Sequence, residues 1–334
     1  QSFRPYSADH KRAINSISRA ELNASLLDVA EKTPGVTLQF GYRLRELNLD
    51  TGQLSFDITG DGPAAKKGVA NGGRGVHKRR PRADIVLASD GSYSAARRAV
   101  TFRQDFTFSQ DYLDAGYKEL TIPARAGEFA LDPDALHIWP RGESMMIALP
   151  NLDRSFTCTL FWPKADFAGL ETDAQIRDYF ARNYPDAAAL MPELVEDYRH
   201  NPVGSLVTVK CWPWVHRSGG TPGSAGAVLG GGRVTLALVG DAAHAIVPFF
   251  GQGANCALED CVEIDRCLDE FGGDWQRALD AFEGRRKANC DAIAEMALDN
   301  FVEMRDRVNS KVFQAKTAAQ HALEGVRVGI GQAR

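Results

Sequence analysis

The sequence predicts an α/β domain that is interrupted by a mostly antiparallel sheet and followed by helices. Three observations lead there. A short apolar strand, Asp84–Ser89, runs directly into a helix start, the alternation of an α/β domain. Between Tyr117 and Cys211 come five strand-like runs with one helical stretch among them, a succession that favours antiparallel pairing. From Gln252 onward the apolar periodicity is helical.

In chain order, Arg12–Ser18 alternates around Ile14 and Ile17 and reads as a short strand. Ser18-Arg19-Ala20-Glu21 has capping-box spacing and opens a helix to about Lys32, with Leu22, Leu26, Leu27 and Ala30 as its apolar face. Pro34-Gly35 ends it, and Val36–Phe40 reads as the next strand. Arg43–Leu49 and Gln53–Thr59 flank the turn Asp50-Thr51-Gly52 as a hairpin. Gly60–Arg82 has no apolar period and carries seven Lys or Arg against one Asp. With no interleaved aromatics it reads as a solvated insertion. His216–Arg233, rich in Gly and Ser, reads the same way. Its Gly230-Gly231-Gly232 enters the strand Val234–Val239 and not a helix, so it is no phosphate loop. The intervening strands are Tyr117–Ile122, Leu136–Trp139, Ser144–Leu149, Phe156–Trp162 and Val207–Cys211, with a helix near Ala174–Asn183. Helices follow at Gln252–Glu270 and from Asp274 to about Ala322.

Composition narrows the function classes. Of 334 residues, 44% are hydrophobic and 25% charged, which is globular. A net charge of -4 argues against nucleic acid as partner, since phosphate binding needs surplus Lys and Arg. No apolar run is long enough to cross a bilayer, and no signal peptide opens the chain. Six scattered cysteines without a CxxC pair read as reduced intracellular thiols. The seven histidines show no metal-ligand spacing.

Two runs carry chemistry. The first, Asp90-Gly91-Ser92-Tyr93-Ser94-Ala95-Ala96-Arg97, follows a strand and starts a helix at the sheet's C-terminal edge, where open α/β sheets bind ligands. Alone it is a plain Asp-Gly turn. The second runs Val239-Gly240-Asp241-Ala242-Ala243-His244-Ala245, then Pro248, then Gly251-Gln252-Gly253-Ala254-Asn255. Gly240 lets backbone approach a ligand, Asp241 offers a carboxylate to hydroxyl donors, and Gly251 and Gly253 precede a helix whose N-terminus favours negative charge.

Together the two runs resemble those of the flavoprotein aromatic hydroxylases, which use FAD and NAD(P)H. The resemblance implies that Asp90, Gly91 and Arg97 lie at the FAD, and that Gly240 and Asp241 hold its ribityl chain. Gly251, Gly253, Ala254 and Asn255 would lie at the flavin ring, with Arg19 and Leu44 as further cofactor contacts. Tyr117-Lys118-Glu119-Leu120-Thr121-Ile122-Pro123, Leu136–Arg141, Met145–Pro150, Ser155–Phe161, Val247–Gly253 and Asn300–Arg305 are similar to the kynurenine 3-monooxygenases within that family. That implies hydroxylation of L-kynurenine to 3-hydroxykynurenine through a C4a-hydroperoxyflavin, with NADPH and O2 as co-substrates. No protein side chain is implied as the catalytic acid or base. Tyr6, Asn300 and Glu303 would bind the amino-acid end, and helical spacing puts the last two side by side. Ile138, Met146, Pro248, Phe249 and Phe250 would surround the ring.

The fold this implies is an FAD-binding Rossmann-like domain (1–110 and 230–272), an antiparallel-sheet substrate domain (111–229) and a C-terminal helical segment (273–334). No GxGxxG stands before Arg4, so the chain is expected to lack the family's N-terminal βαβ unit. It is also expected to stop short of the C-terminal segment through which the family associates with membranes, at the mitochondrial outer membrane facing the cytosol; otherwise a cytoplasmic place is expected. Two other readings remain at this point: a related hydroxylase of another aniline or phenol, and a non-catalytic fragment that persists as a binding protein.

Overall fold

The computed structural model describes residues 14–58, 77–218 and 234–302. The chain divides into two compact units, one formed by 1–34, 113–206 and 301–334, the other by 35–112 and 207–300.

The first unit is built on a sheet. Its antiparallel strands are β5 (Thr107–Ile122), β6 (His137–Arg141), β7 (Ser144–Pro150) and β8 (Phe156–Pro163). With β9 (Gly204–Trp212) the order is β6-β7-β8-β5-β9, and β5 and β9 continue into the second unit. Sequence alternation decides the faces. Leu120, Met146, Ala148, Phe156, Cys158 and Leu160 form one buried cluster with Phe167, Ile176, Phe180, Tyr184 and Tyr198. Each large side chain in such a core contributes roughly 1.5–3 kcal/mol.

The helices that cover this face are α3 (Lys164–Ala168), α4 (Asp173–Asn183), α5 (Pro185–Ala188) and α6 (Leu194–His200). Only α4 is expected from the sequence. The other three are four to seven residues long, too short to show a 3.6-residue period. α4 starts at a capping box between Thr172 and Gln175. Lys118 is buried beneath α6, where its ammonium donates to the Tyr198 and Asn201 carbonyls and stacks over the Tyr198 ring.

α1 (Arg19–Lys32) begins where the Ser18 cap predicts, with Ser18 Oγ accepting from Glu21 N. It buries none of its residues, so its expected apolar face packs only in part. Residues 14–18 are not a strand; Ser16 Oγ instead donates to the Pro150 carbonyl at 2.7 Å. The expected strand Val36–Phe40 is also absent. Its β-favouring composition has no strand to pair with among the described residues, and Phe40 is 68% exposed.

The second unit holds two small sheets. The hairpin β1 (Tyr42–Asn48) and β2 (Gln53–Ile58) forms as expected, with a register shift between Leu44 and Glu46. β3 (His77–Arg79) adds to β2, so the expected solvated insertion ends earlier than Arg82. β4 (Ile85–Ala88) lies parallel to β11 (Thr235–Leu238), and β10 (Val215–Arg217) is antiparallel to β11. The expectation of a solvated loop from His216 is therefore corrected at its start: His216 and Ser218 are buried. The His216 ring meets Phe106 edge-on at 5.3 Å, and burial pushes its pKa down to about 4. The Gly230–Gly232 run lies outside the described residues.

After β4 comes the short helix α2 (Ala95–Arg98), and after β11 the turn α7 (Asp241–His244) and a 3-10 turn, Pro248–Phe250. The long helices α8 (Gly253–Glu270) and α9 (Trp275–Val302) complete the unit's core, with Trp214, Leu236, Leu238, Leu279 and Phe282 wholly or almost wholly enclosed. Glu283 on α9 accepts the Trp214 and Val215 backbone N–H groups at 2.5 and 2.6 Å, which anchors the start of β10. Among the described residues no helix is long and apolar enough to cross a membrane.

Candidate functional site

The first signature is held by its own polar groups. The Asp90 carboxylate accepts from Ser94 Oγ at 2.5 Å and from the backbone N–H groups of Ala95 and Ala96 at 2.7 and 3.0 Å, capping α2. Gly91 has φ +83°, a left-handed turn position that favours glycine. Arg97 is buried. Its guanidinium donates to the Ser92 carbonyl at 2.5 Å and to the Ala242 carbonyl at 2.6 Å, and it stacks on Phe108 at 4.6 Å. Arg97 thus ties the first signature to the second, a contact between residues 145 apart in sequence.

The second signature turns at Gly240, with φ 58° and ψ -138°. A Cβ there would stand 3.0 Å from the Ala257 Cβ on α8, so strand end and helix approach closely only because position 240 is glycine. Asp241 follows at the strand's C-terminal end. Its carboxylate reaches solvent and makes no hydrogen bond among the described residues. The protein packed on its inner side raises its pKa by desolvation, against the pull of His244.

Gly251, at φ +65°, ends the 3-10 turn and leads into α8. The N-cap residue Gln252 gives no side-chain cap, so the first N–H groups of this 18-residue helix stay available to an anionic acceptor. Ala254 and Asn255 are exposed there, and the Asn255 amide donates to Gln252 Oε1 at 3.1 Å.

Under this loop lies a polar cluster that sequence reading missed. The buried Asp260 carboxylate accepts from Gly240 N at 3.0 Å and from Arg286 Nε at 2.8 Å, and it pairs with His244 Nε2 at 2.6 Å. Burial alone lowers the His244 pKa, but its bonds to Asp260 and Cys256 prevail and raise it to about 9. Burial likewise works against the Asp260 charge, and His244 and Arg286 outweigh it and lower the pKa. The members stand at 240, 244, 256, 260, 286 and 290. The only trace in sequence is charged residues in otherwise apolar helix positions.

The expected substrate residues fall in both units. Asn300 lies in the second, where its amide donates to the Phe249 carbonyl. Phe249 is buried and Pro248 exposed, and Phe250 follows in the same turn. Ile138 and Met146 lie in the first unit on opposite faces of the sheet. Ile138 pairs with Ile147, and Met146 with Trp139. Met146 is 0% exposed within the helix-covered core, so it and Ile138 do not wall one pocket. Strand register places Ile147, Thr159 and Glu119 on the face of Ile138. The period-2 alternation of those strands was the signal that could have separated the two sets. Arg19 pairs with Glu119 at 3.4 Å, and Leu44 packs half-buried against the core of the second unit. Tyr6 and Glu303 lie outside the described residues.

Residues 229–297, which include the second signature and the buried cluster, match the family described as FAD binding domain. Similarity to curated proteins extends much further. The chain is 43% identical over 325 residues to the kynurenine 3-monooxygenase of Myxococcus xanthus, covering 96% of this chain and 63% of that protein. It is 38% identical to that of Dictyostelium discoideum, over 97% of this chain and 66% of that protein. Over nearly its whole length the chain is thus similar to kynurenine 3-monooxygenases, and residues 229–297 carry an FAD-binding domain.

It spans 61–64% of the length of the first such relatives. Among solved structures, 2-methyl-3-hydroxypyridine-5-carboxylic acid oxygenase has a TM-score of 0.63 at 21% identity, covering 87% of this chain and 68% of that one. Klebsiella pneumoniae HpxO complexed with FAD and uric acid has 0.58 at 22%, over 94% and 70%. These likenesses show the fold: a mixed α/β chain with an FAD-binding domain and antiparallel sheets. The donor set fits the flavin of a kynurenine 3-monooxygenase-like protein. An accessible carboxylate at a strand end, with no hydrogen bond among the described residues, suits ribityl hydroxyls, and an uncapped helix N-terminus suits the negative edge of a reduced flavin ring.

Proposed function

We propose that the protein is an FAD-dependent monooxygenase that hydroxylates L-kynurenine to 3-hydroxykynurenine, with NADPH as reductant and O2 as oxygen source. The observation that carries this is 43% identity to a kynurenine 3-monooxygenase over 96% of the chain. FAD, when bound, supplies the electron transfer and oxygen activation. Asp241 would accept hydrogen bonds from its ribityl chain, with Gly240 giving backbone access. Gly251, Gly253, Ala254 and Asn255 would bring the α8 N-terminus to the ring. Arg97 and Asp90 would act by holding the two signature loops together, and Gly91, Leu44 and Arg19 would complete the cofactor's surroundings.

The substrate's aniline nitrogen already makes the ring electron-rich, so no strong base is required of the protein. Its tasks are to orient the ring and exclude water. Asn300 donates its N–H to Phe249, which leaves Oδ1 to accept from the substrate's ammonium. Tyr6 and Glu303 would share that polar end, and Ile138, Pro248, Phe249 and Phe250 would flank the ring. Met146 is better explained as core. The proposed arrangement is a Rossmann-like FAD domain (1–110 and 230–272) interrupted by a substrate sheet (111–229) and followed by helices (273–334). Attachment to the mitochondrial outer membrane is part of the same family-based reading.

The test is kynurenine-dependent NADPH oxidation by the gene's product with its upstream residues included and FAD added, with mass spectrometry for a product heavier by one oxygen. Hydroxylated product supports the reading. Flavin bound and reduced without product moves the substrate to another aniline or phenol. Failure to retain flavin sinks the hydroxylase reading.

A further inference from the structure

Two thiols in the buried cluster have no part in the proposed hydroxylation. Cys256, in the first turn of α8, and Cys290, on α9, are both buried, and their sulfurs lie 3.4 Å apart. Arg286 sits against both, with Nη2 at 3.3 Å from the Cys256 sulfur and 3.6 Å from that of Cys290. One His244 ring nitrogen and the two sulfurs lie within 4.8 Å of one another. A guanidinium donating to both sulfurs opposes a metal cation there and favours a thiolate. The charges can balance: Arg286 and His244 as cations, Asp260 and one thiolate as anions, with Glu259 at 2.5 Å on the outer side of Arg286.

We propose that Cys256 and Cys290 form a redox-active dithiol that closes to a disulfide when the protein meets hydrogen peroxide. This stands apart from the hydroxylase reading, because it uses only residues in the cluster and a named oxidant. The sulfur of Cys256 attacks one peroxide oxygen, the O–O bond breaks, and hydroxide leaves to take up a proton as water. The resulting sulfenic acid is attacked by the Cys290 sulfur, the S–O bond breaks, and a second water leaves with the Cys290 proton. Two thiols lose two electrons in all, and the peroxide is reduced to two waters.

Three features favour this pair. The sulfurs are already in contact, so the bond length of about 2.05 Å requires a movement of roughly 1.4 Å. The cluster makes Cys256 the attacking sulfur: its hydrogen-bonded contact with the Cys290 sulfur and the positive charge of His244 and Arg286 lower its pKa while that of Cys290 rises. Burial of both sulfurs keeps bulky thiol reagents out of the folded cluster and leaves a small oxidant such as hydrogen peroxide as the one proposed. Among the other cysteines, Cys158, Cys211, Cys261 and Cys267 all have pKa values raised, chiefly by desolvation, and so hold less thiolate.

The experiment treats the folded chain with a small excess of hydrogen peroxide, removes the excess, unfolds the protein in an alkylating reagent and maps the peptides. The expected result is loss of two of the six thiols, a linked pair of peptides two hydrogens lighter, and full recovery with dithiothreitol. The Cys290→Ser variant should instead give a sulfenic acid at position 256, which dimedone present during unfolding traps. Cys261 shares a tryptic peptide with Cys256, so the Cys261→Ser variant must still give the link. All six thiols remaining alkylatable, or a link that disappears in Cys261→Ser, overturns the proposal. The unmutated chain decides the first point even if a variant fails to fold.

Discussion

At single residues, the candidate site combines cost and use. Asp241 has a carboxyl pKa raised above its unfolded value, so its ionisation works against folding, fully so above the folded pKa. Asp241→Asn should therefore raise the melting temperature of the flavin-free protein at neutral pH. It should also weaken flavin binding by on the order of 10–100-fold, the worth of a charge-assisted hydrogen bond. Flavin fluorescence titration and a thermal melt read the two effects, and unchanged affinity would remove Asp241 from the site. His244 behaves in the opposite sense. A histidine whose pKa rises from 6.5 unfolded to about 9 folded stabilises fully below 6.5 and loses that stabilisation as pH climbs through 9. The unfolding free energy from denaturant titrations should fall across that window by on the order of 2–3 kcal/mol. The fall should be largely missing in His244→Gln; a flat wild-type profile would mean that His244 stays neutral.

Among the elements, the β11–α7–α8 passage depends on one backbone position. Gly240→Ala puts a side chain into a conformation that few L-residues adopt and drives its Cβ to 3.0 Å from Ala257 Cβ. A loss of about 1–3 kcal/mol in denaturant unfolding is expected, with flavin affinity reduced as the loop shifts. An unchanged midpoint would mean that the close approach is not retained in solution. This passage was legible in sequence because glycine, aspartate and the helix start are local signals. The hairpin, the central strands and α8 were legible for the same reason, through turn residues and period. What sequence concealed is pairing. Val36–Phe40 has strand composition but no partner among the described residues, whereas His77–Arg79 and Val215–Arg217 gain strand form from β2 and β11. The Asp260 cluster was hidden because its members approach one another only when α8 and α9 pack. The resemblance places Met146 at the substrate, and only strand register shows it facing the helices.

For the whole molecule, the two units draw differently on the chain, and that sets what each needs in order to fold. The core beneath α3–α6, from Leu120 to Tyr198, lies entirely within 113–206. The core around β4 does not. Leu47, Leu54 and Ala88 pack with Val234, Leu236, Leu238 and Phe282, and β4 takes β11 as its parallel neighbour. At Gly52 the chain passes so close to Ala83 and Val234 that a Cβ would lie 2.5 Å from a Val234 methyl. A chain ending after Leu206 keeps every apolar residue of the first core but loses β10, β11, α8 and α9 from the second. Hydrogen exchange should then show the amides of β7 and β8 still protected, within about tenfold of the full chain, and those of β4 unprotected. The reason is energetic: residues 35–112 alone offer too little apolar surface to offset the entropy of ordering them. Protection of Ile85–Ala88 in the shortened chain would show that the hairpin unit folds without the flavin-loop helices. The candidate site would then be an addition to a finished fold and not part of its core.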